Sequence, residues 1–70
     1  MSVHVILNGE ERELAAGSTV ASLIEVLAGR SQGGGLAVAV DGTVVPRREW
    51  ARARLGDGAQ VEVVVAVQGG

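Results

Sequence analysis

Ser2–Leu7 is an apolar run broken by His4, and the Asn8-Gly9 pair behind it suits the tight turn of a hairpin. Glu10–Leu14 then predicts a returning strand, more polar and therefore suited to a sheet edge. Ala15–Ser18 forms a short loop, and either Ser18 or Thr19 can cap the helix that follows. Val20, Leu23, Ile24 and Leu27 fall at i, i+3, i+4 and i+7, one apolar stripe at helical spacing. Gly29 suits the left-handed position just past a helix end.

Arg30–Gly35 is polar, ends in three glycines and predicts a loop. Leu36–Val40 is a second strand-like run, Asp41-Gly42 a second hairpin turn and Thr43–Val45 the short strand returning from it. Pro46 ends that strand because it offers no N–H to a ladder. Arg47–Arg54 can hold one or two helical turns, with Trp50 folded against the core. Gly56-Asp57-Gly58 turns the chain once more. Gln60–Val67 is the last and most apolar strand, and Gln68-Gly69-Gly70 is a tail.

One helix has one apolar stripe to bury, so it must lie across one face of a mixed sheet of about five strands, an α+β architecture. The most apolar strand belongs in the centre. Set parallel to the first strand, it gives a β-grasp arrangement, with residues 1–67 as the domain and 68–70 as the tail. Strand parity turns Val5, Leu7, Leu36, Val38, Val40, Val61, Val63 and Val65 toward the helix. His4, Ile6, Ala37, Ala39, Glu62, Val64 and Ala66 fall on the opposite face, which has no helix to cover it. Ile6, Ala37, Ala39, Val64 and Ala66 are thus a candidate docking surface.

Composition narrows the chemistry. Seventy residues suit one small core, and 47% are apolar with a net charge of −2, which disfavours disorder. Ten of the apolar residues are alanine and Trp50 is the single aromatic, so thirteen valines do much of the packing. The chain has no cysteine, so neither a disulfide nor a thiolate metal site is available. No apolar run approaches the roughly 20 residues of a membrane helix, nor does the N-terminal stretch resemble a signal peptide, so a cytoplasmic chain is expected. All six positive charges are arginine, and Arg47, Arg48, Arg52 and Arg54 cluster in eight residues. An acidic overall balance lacks the electrostatic footprint of nucleic-acid binding, and the cluster reads as a solvated face or part of a partner contact.

Catalytic groups are sparse. His4 stands alone in a strand, without the partners a general base or metal site requires. Gly33-Gly34-Gly35 precedes a strand, whereas a phosphate-binding loop needs a helix N-terminus behind it. No catalytic or metal site is expected, and the chain is not read as an enzyme. The Gly69-Gly70 ending stands out, because at an average glycine usage of about 7% such a pair arises by chance about 0.5% of the time. Two glycines let a backbone thread a narrow channel, and three residues reach at most about 10 Å beyond the strand. The group delivered is the Gly70 carboxylate, ionised at neutral pH and a poor electrophile until activated. Acyl-adenylation with ATP by another protein, followed by displacement of AMP by a sulfur nucleophile, would leave a C-terminal thiocarboxylate. Without cysteine, any sulfur the chain carries has to sit on Gly70.

From Val5 to Gly70 the sequence resembles the ThiS family, ubiquitin-like sulfur carriers of thiamine biosynthesis. The resemblance rests on Asn8-Gly9-Glu10, on Gly17-Ser18-Thr19-Val20 with Leu23, and on Ala37-Val38-Ala39-Val40-Asp41-Gly42. It continues through Val44-Val45-Pro46-Arg47 with Glu49-Trp50, Leu55, Asp57-Gly58 and Val67-Gln68-Gly69-Gly70. Asp41 stands where the family often has asparagine. The resemblance implies adenylation and thiocarboxylation at Gly70, with Gln68 and Gly69 threading into partner active sites. It implies a ThiF-like adenylating enzyme that consumes ATP, a cysteine desulfurase as sulfur source, and a thiazole synthase that receives the sulfur. No permanently bound cofactor is expected. The alternatives are the same carriage for molybdopterin or cysteine synthesis, a ubiquitin-like protein modifier, or a plain interaction domain.

Overall fold

The computed structural model describes residues 1–28 and 35–65. The elements run β1 (Ser2–Leu7), β2 (Glu10–Ala15), α1 (Val20–Ala28), β3 (Leu36–Val40), β4 (Thr43–Val44), a 3-10 helix (Arg47–Arg52) and β5 (Gln60–Val65). Gly29, Arg30, Gly33, Gly34, Ala66, Val67, Gln68, Gly69 and Gly70 lie outside the described residues, and with them the expected end of the last strand at Val67.

The sheet order is β2-β1-β5-β3-β4. β5 is central and parallel to β1, pairing Ile6 with Gln60 and Leu7 with Val61. On its other side it runs antiparallel to β3, from Leu36 opposite Val65 to Val40 opposite Val61. β2 lies on one edge, where Glu10, Glu11, Arg12 and Glu13 are all exposed. Charges there discourage pairing with other chains.

Both hairpins turn through a pair of left-handed residues, Asn8 and Gly9 at φ 50° and 86°, Asp41 and Gly42 at φ 51° and 84°. Two positive φ angles match the right-handed twist of paired strands, and Asn, Asp and Gly tolerate them best. Asp41 accepts the Gln60 N–H at 3.0 Å through Oδ1.

The core lies between α1 and one face of the sheet. Val5, Leu7, Val20, Leu23, Ile24, Val38, Leu55, Ala59 and Val61 are buried together with Trp50. Leu36, Val40 and Val63 pack against this cluster, as strand parity predicts. The Trp50 indole is 4% exposed, and its N–H donates to the Val45 carbonyl at 2.9 Å. A large ring with its one polar atom satisfied closes a core otherwise built of small side chains.

One open choice is resolved and several local expectations are corrected. Thr19, not Ser18, caps α1: its Oγ1 accepts the Ser22 N–H at 3.2 Å, while Ser22 Oγ accepts the Thr19 N–H at 2.9 Å. This reciprocal pair is a capping box built with serine in place of the usual Glu or Gln. Ser18 instead donates to the Ala15 carbonyl and holds the preceding turn. Leu27 keeps 39% of its surface exposed, because the buried cluster extends along the helix only to Ile24. The strand after Asp41-Gly42 ends at Val44, and the following helical segment ends at Arg52 rather than Arg54. Ala53 is already extended, and Arg54 bridges to Thr19.

Candidate functional site

Two faces of β5 diverge at alternate residues. Val61 is fully buried under α1 and Val63 packs on the core, whereas Glu62 and Val64 point away. Cross-strand register places Ala37 beside Val64 and Ala39 beside Glu62, and on the next strand Val44 beside Ala39. These residues line a shallow concavity of about 120 Å³ together with Val38. Its rim is apolar and accessible, with Val64 57% and Val44 69% exposed.

The structure therefore brings Ala37, Ala39 and Val64 together on the open face. Ile6 is half-buried on β1 and turns to the same side by parity. Val44 extends this surface and was not singled out from sequence. The missing signal was the pairing of Ala39 with Val44, which fixes the side on which a two-residue strand presents its one apolar residue.

Asn8 performs a second task that its turn role hides. The β1 main chain pairs with β5 through Ile6 N–H to Ala59 O and Asn8 N–H to Val61 O, at 2.8 and 2.9 Å. At Asn8 the backbone then leaves the ladder for the hairpin. Its side-chain amide stays behind: Oδ1 accepts the Val63 N–H at 2.9 Å and Nδ2 donates to the Val63 carbonyl at 3.1 Å. Both main-chain groups of Val63 are thus bonded on the β1 side, while Val38 lies opposite it in the register of β3.

Elsewhere the chemistry is thin. His4 and Asp57 are both exposed, with the Asp57 carboxylate accepting the His4 main-chain N–H at 2.8 Å and lying 3.9 Å from ring Nδ1. Among the described residues no three His, Asp or Glu side chains converge to hold a metal. No helix among them is long and apolar enough to cross a membrane. Arg48, Arg52 and Arg54 project from the segment anchored by Trp50 and are exposed.

Comparison with known proteins ties this frame to a family. The Escherichia coli (strain K12) protein named sulfur carrier protein ThiS is 34% identical over 68 residues, spanning 97% of this chain and 100% of its own length. The crystal structure of the thiamine biosynthesis protein ThiS from Geobacter metallireducens has a TM-score of 0.78 at 23% identity, covering 97% of this chain and 100% of that one. That likeness concerns the fold, a β-grasp. The ThiS family model matches residues 5–70, a span running from β1 through Gly70. On that match and the E. coli relative, this chain belongs to the ThiS family.

Proposed function

We propose that this chain is a sulfur carrier for the thiazole-forming branch of thiamine biosynthesis, acting through the Gly70 carboxylate. The observation that carries the reading is the family match extending through Gly70, with an E. coli relative whose name is that of a sulfur carrier. A ThiF-like enzyme adenylates Gly70: a carboxylate oxygen attacks the α-phosphorus of ATP and pyrophosphate leaves. The terminal sulfur of a persulfide drawn from a cysteine desulfurase attacks the acyl carbon and AMP leaves, giving an acyl disulfide. A thiol reductant attacks the other sulfur of that bond, forming a new disulfide and releasing the thiocarboxylate. The loaded chain then delivers sulfur to a thiazole synthase.

Residues 1–67 serve as the base and 68–70 as the arm, with Gln68 and Gly69 threading the partner's channel. Ile6, Ala37, Ala39, Val64 and Ala66 form the docking face, extended by Val44. Apolar contact there supplies affinity, since a partner gains by covering exposed valine surface. The chain itself contributes no catalytic group and no resident cofactor; ATP is consumed by the activating partner. The setting is cytoplasmic.

The test is complementation of a thiamine auxotroph that lacks its own carrier. The wild-type chain restores growth, and the same chain with one residue added after Gly70 does not. Growth supported equally by the extended variant overturns the terminal chemistry. Failure in this strain with rescue of a molybdopterin-deficient one reassigns the pathway.

A further inference from the structure

The Asn8 amide occupies the place that the next peptide group of β1 would take had the strand continued. A peptide presents one carbonyl acceptor and one N–H donor in a plane, and so does a carboxamide. The main chain turns away at φ 50°, and the side chain extends the parallel ladder by one more pairing, at Val63. At the start of β5 Asp41 bonds Gln60 differently, its carboxylate accepting the Gln60 N–H and its own main-chain N–H donating to the Gln60 carbonyl at 2.7 Å.

The position of the clamp gives it a consequence. Among the described residues, Val63 is the last of β5 whose main chain is bonded on the β1 side. Beyond it, Val64 and Val65 lie opposite Ala37 and Leu36 of β3. Without the amide, bonding to the β1 side ends at Val61, two residues earlier. The chain runs seven residues on from Val63 to Gly70, a reach of at most about 23–25 Å, and the direction of β5 at Val63 is the direction from which that segment starts. The clamp is exposed to water, and its two bonds contribute only modestly to stability. Its leverage lies in direction.

We propose that Asn8 is a positioning residue for chemistry at Gly70: its carboxamide clamps the Val63 peptide and so fixes the line along which the C-terminal arm leaves the sheet. This rests on the reading of Gly70 as the activated group. Asparagine suits both duties, since it tolerates the left-handed turn and carries both a donor and an acceptor.

Two variants keep the turn while damaging the clamp. Asn8→Gly accepts the positive φ and removes both bonds; Asn8→Asp keeps the shape and acceptor but sets an oxygen against the Val63 carbonyl. Each is assayed as the full chain with ATP and a ThiF-type adenylating enzyme, at a temperature where far-UV circular dichroism shows it folded. The readout is pyrophosphate release as a function of carrier concentration, alongside amide hydrogen exchange at Val63. The expected result is a turnover at saturating carrier lowered roughly tenfold with KM within about twofold, as misplacement of a reacting group gives, and faster exchange at Val63. Preserved turnover in both variants, with or without a change in KM, overturns the proposal, as does unchanged exchange at Val63. A wild-type chain that is not adenylated overturns the Gly70 reading and this inference with it, an outcome distinct from active wild type and equally active variants.

Discussion

Val61 and Glu62 are neighbours on β5, yet one is fully buried beneath α1 and the other faces solvent on the open side. The covered face is built from Val5, Leu7, Val38 and Val61 closed over by Val20, Leu23, Ile24 and Trp50. The open face offers alanine, the edges of valine and a shallow hollow. Small side chains keep that surface low and let another backbone come close, while the covered face carries most of the apolar burial. The comparison teaches a division of labour. One side of the sheet holds the fold, and the other is the face proposed above for docking.

The sharpest way to break this division is Trp50→Ala. Loss of a buried aromatic costs about 3–5 kcal/mol, a large share of the roughly 4–10 kcal/mol expected for a domain of this size. Urea unfolding should show a collapse of the midpoint or no cooperative transition at all; a wild-type midpoint would mean that the ring is not a core element. The complementary change, Val64→Asp, should weaken binding to a ThiF-type partner by about tenfold or more, or about 1.4 kcal/mol, with stability held within about 0.5 kcal/mol. Calorimetric titration and urea unfolding of the same sample separate the two effects. If stability falls and affinity does not, the assignments of the two faces are reversed.

Much of this frame is legible in the sequence, for physical reasons. Period-two alternation in Leu36–Val40 and Gln60–Val65 assigns each residue to a face, because a strand has no other way to arrange successive side chains. Asn8-Gly9 and Asp41-Gly42 announce hairpins because few residues accept consecutive positive φ angles. What alternation cannot supply is register between strands. The contribution of Val44 waited on its pairing with Ala39, and the Asn8 clamp on the position of Val63, fifty-five residues away in sequence. The capping residue was ambiguous because Ser18 and Thr19 offer the same hydroxyl chemistry one position apart. Only the backbone decides which of them sits at the helix start.

That cap supplies a smaller prediction. Thr19→Ala removes the acceptor for the Ser22 N–H and should lower stability by about 1 kcal/mol, whereas Ser18→Ala should cost less, since it loses only a turn bond to Ala15. Comparison of the two urea midpoints checks the order. Smallest of all is the effect of the exposed arginines. Arg48→Ala with Arg52→Ala should leave stability within about 0.5 kcal/mol, as solvated surface charges do; a larger loss would bring this segment into the core account.

The central claim is that the molecule acts through the Gly70 carboxylate. Its most direct test is the intact mass of the chain after incubation with ATP, a ThiF-type adenylating enzyme, a desulfurase with cysteine and a thiol reductant, beside a second carrier charged by the same enzymes. The account predicts a gain equal to one sulfur replacing one oxygen, confined to the C-terminal peptide. An unchanged mass while the second carrier is charged, or a sulfur found on any other residue, would contradict it.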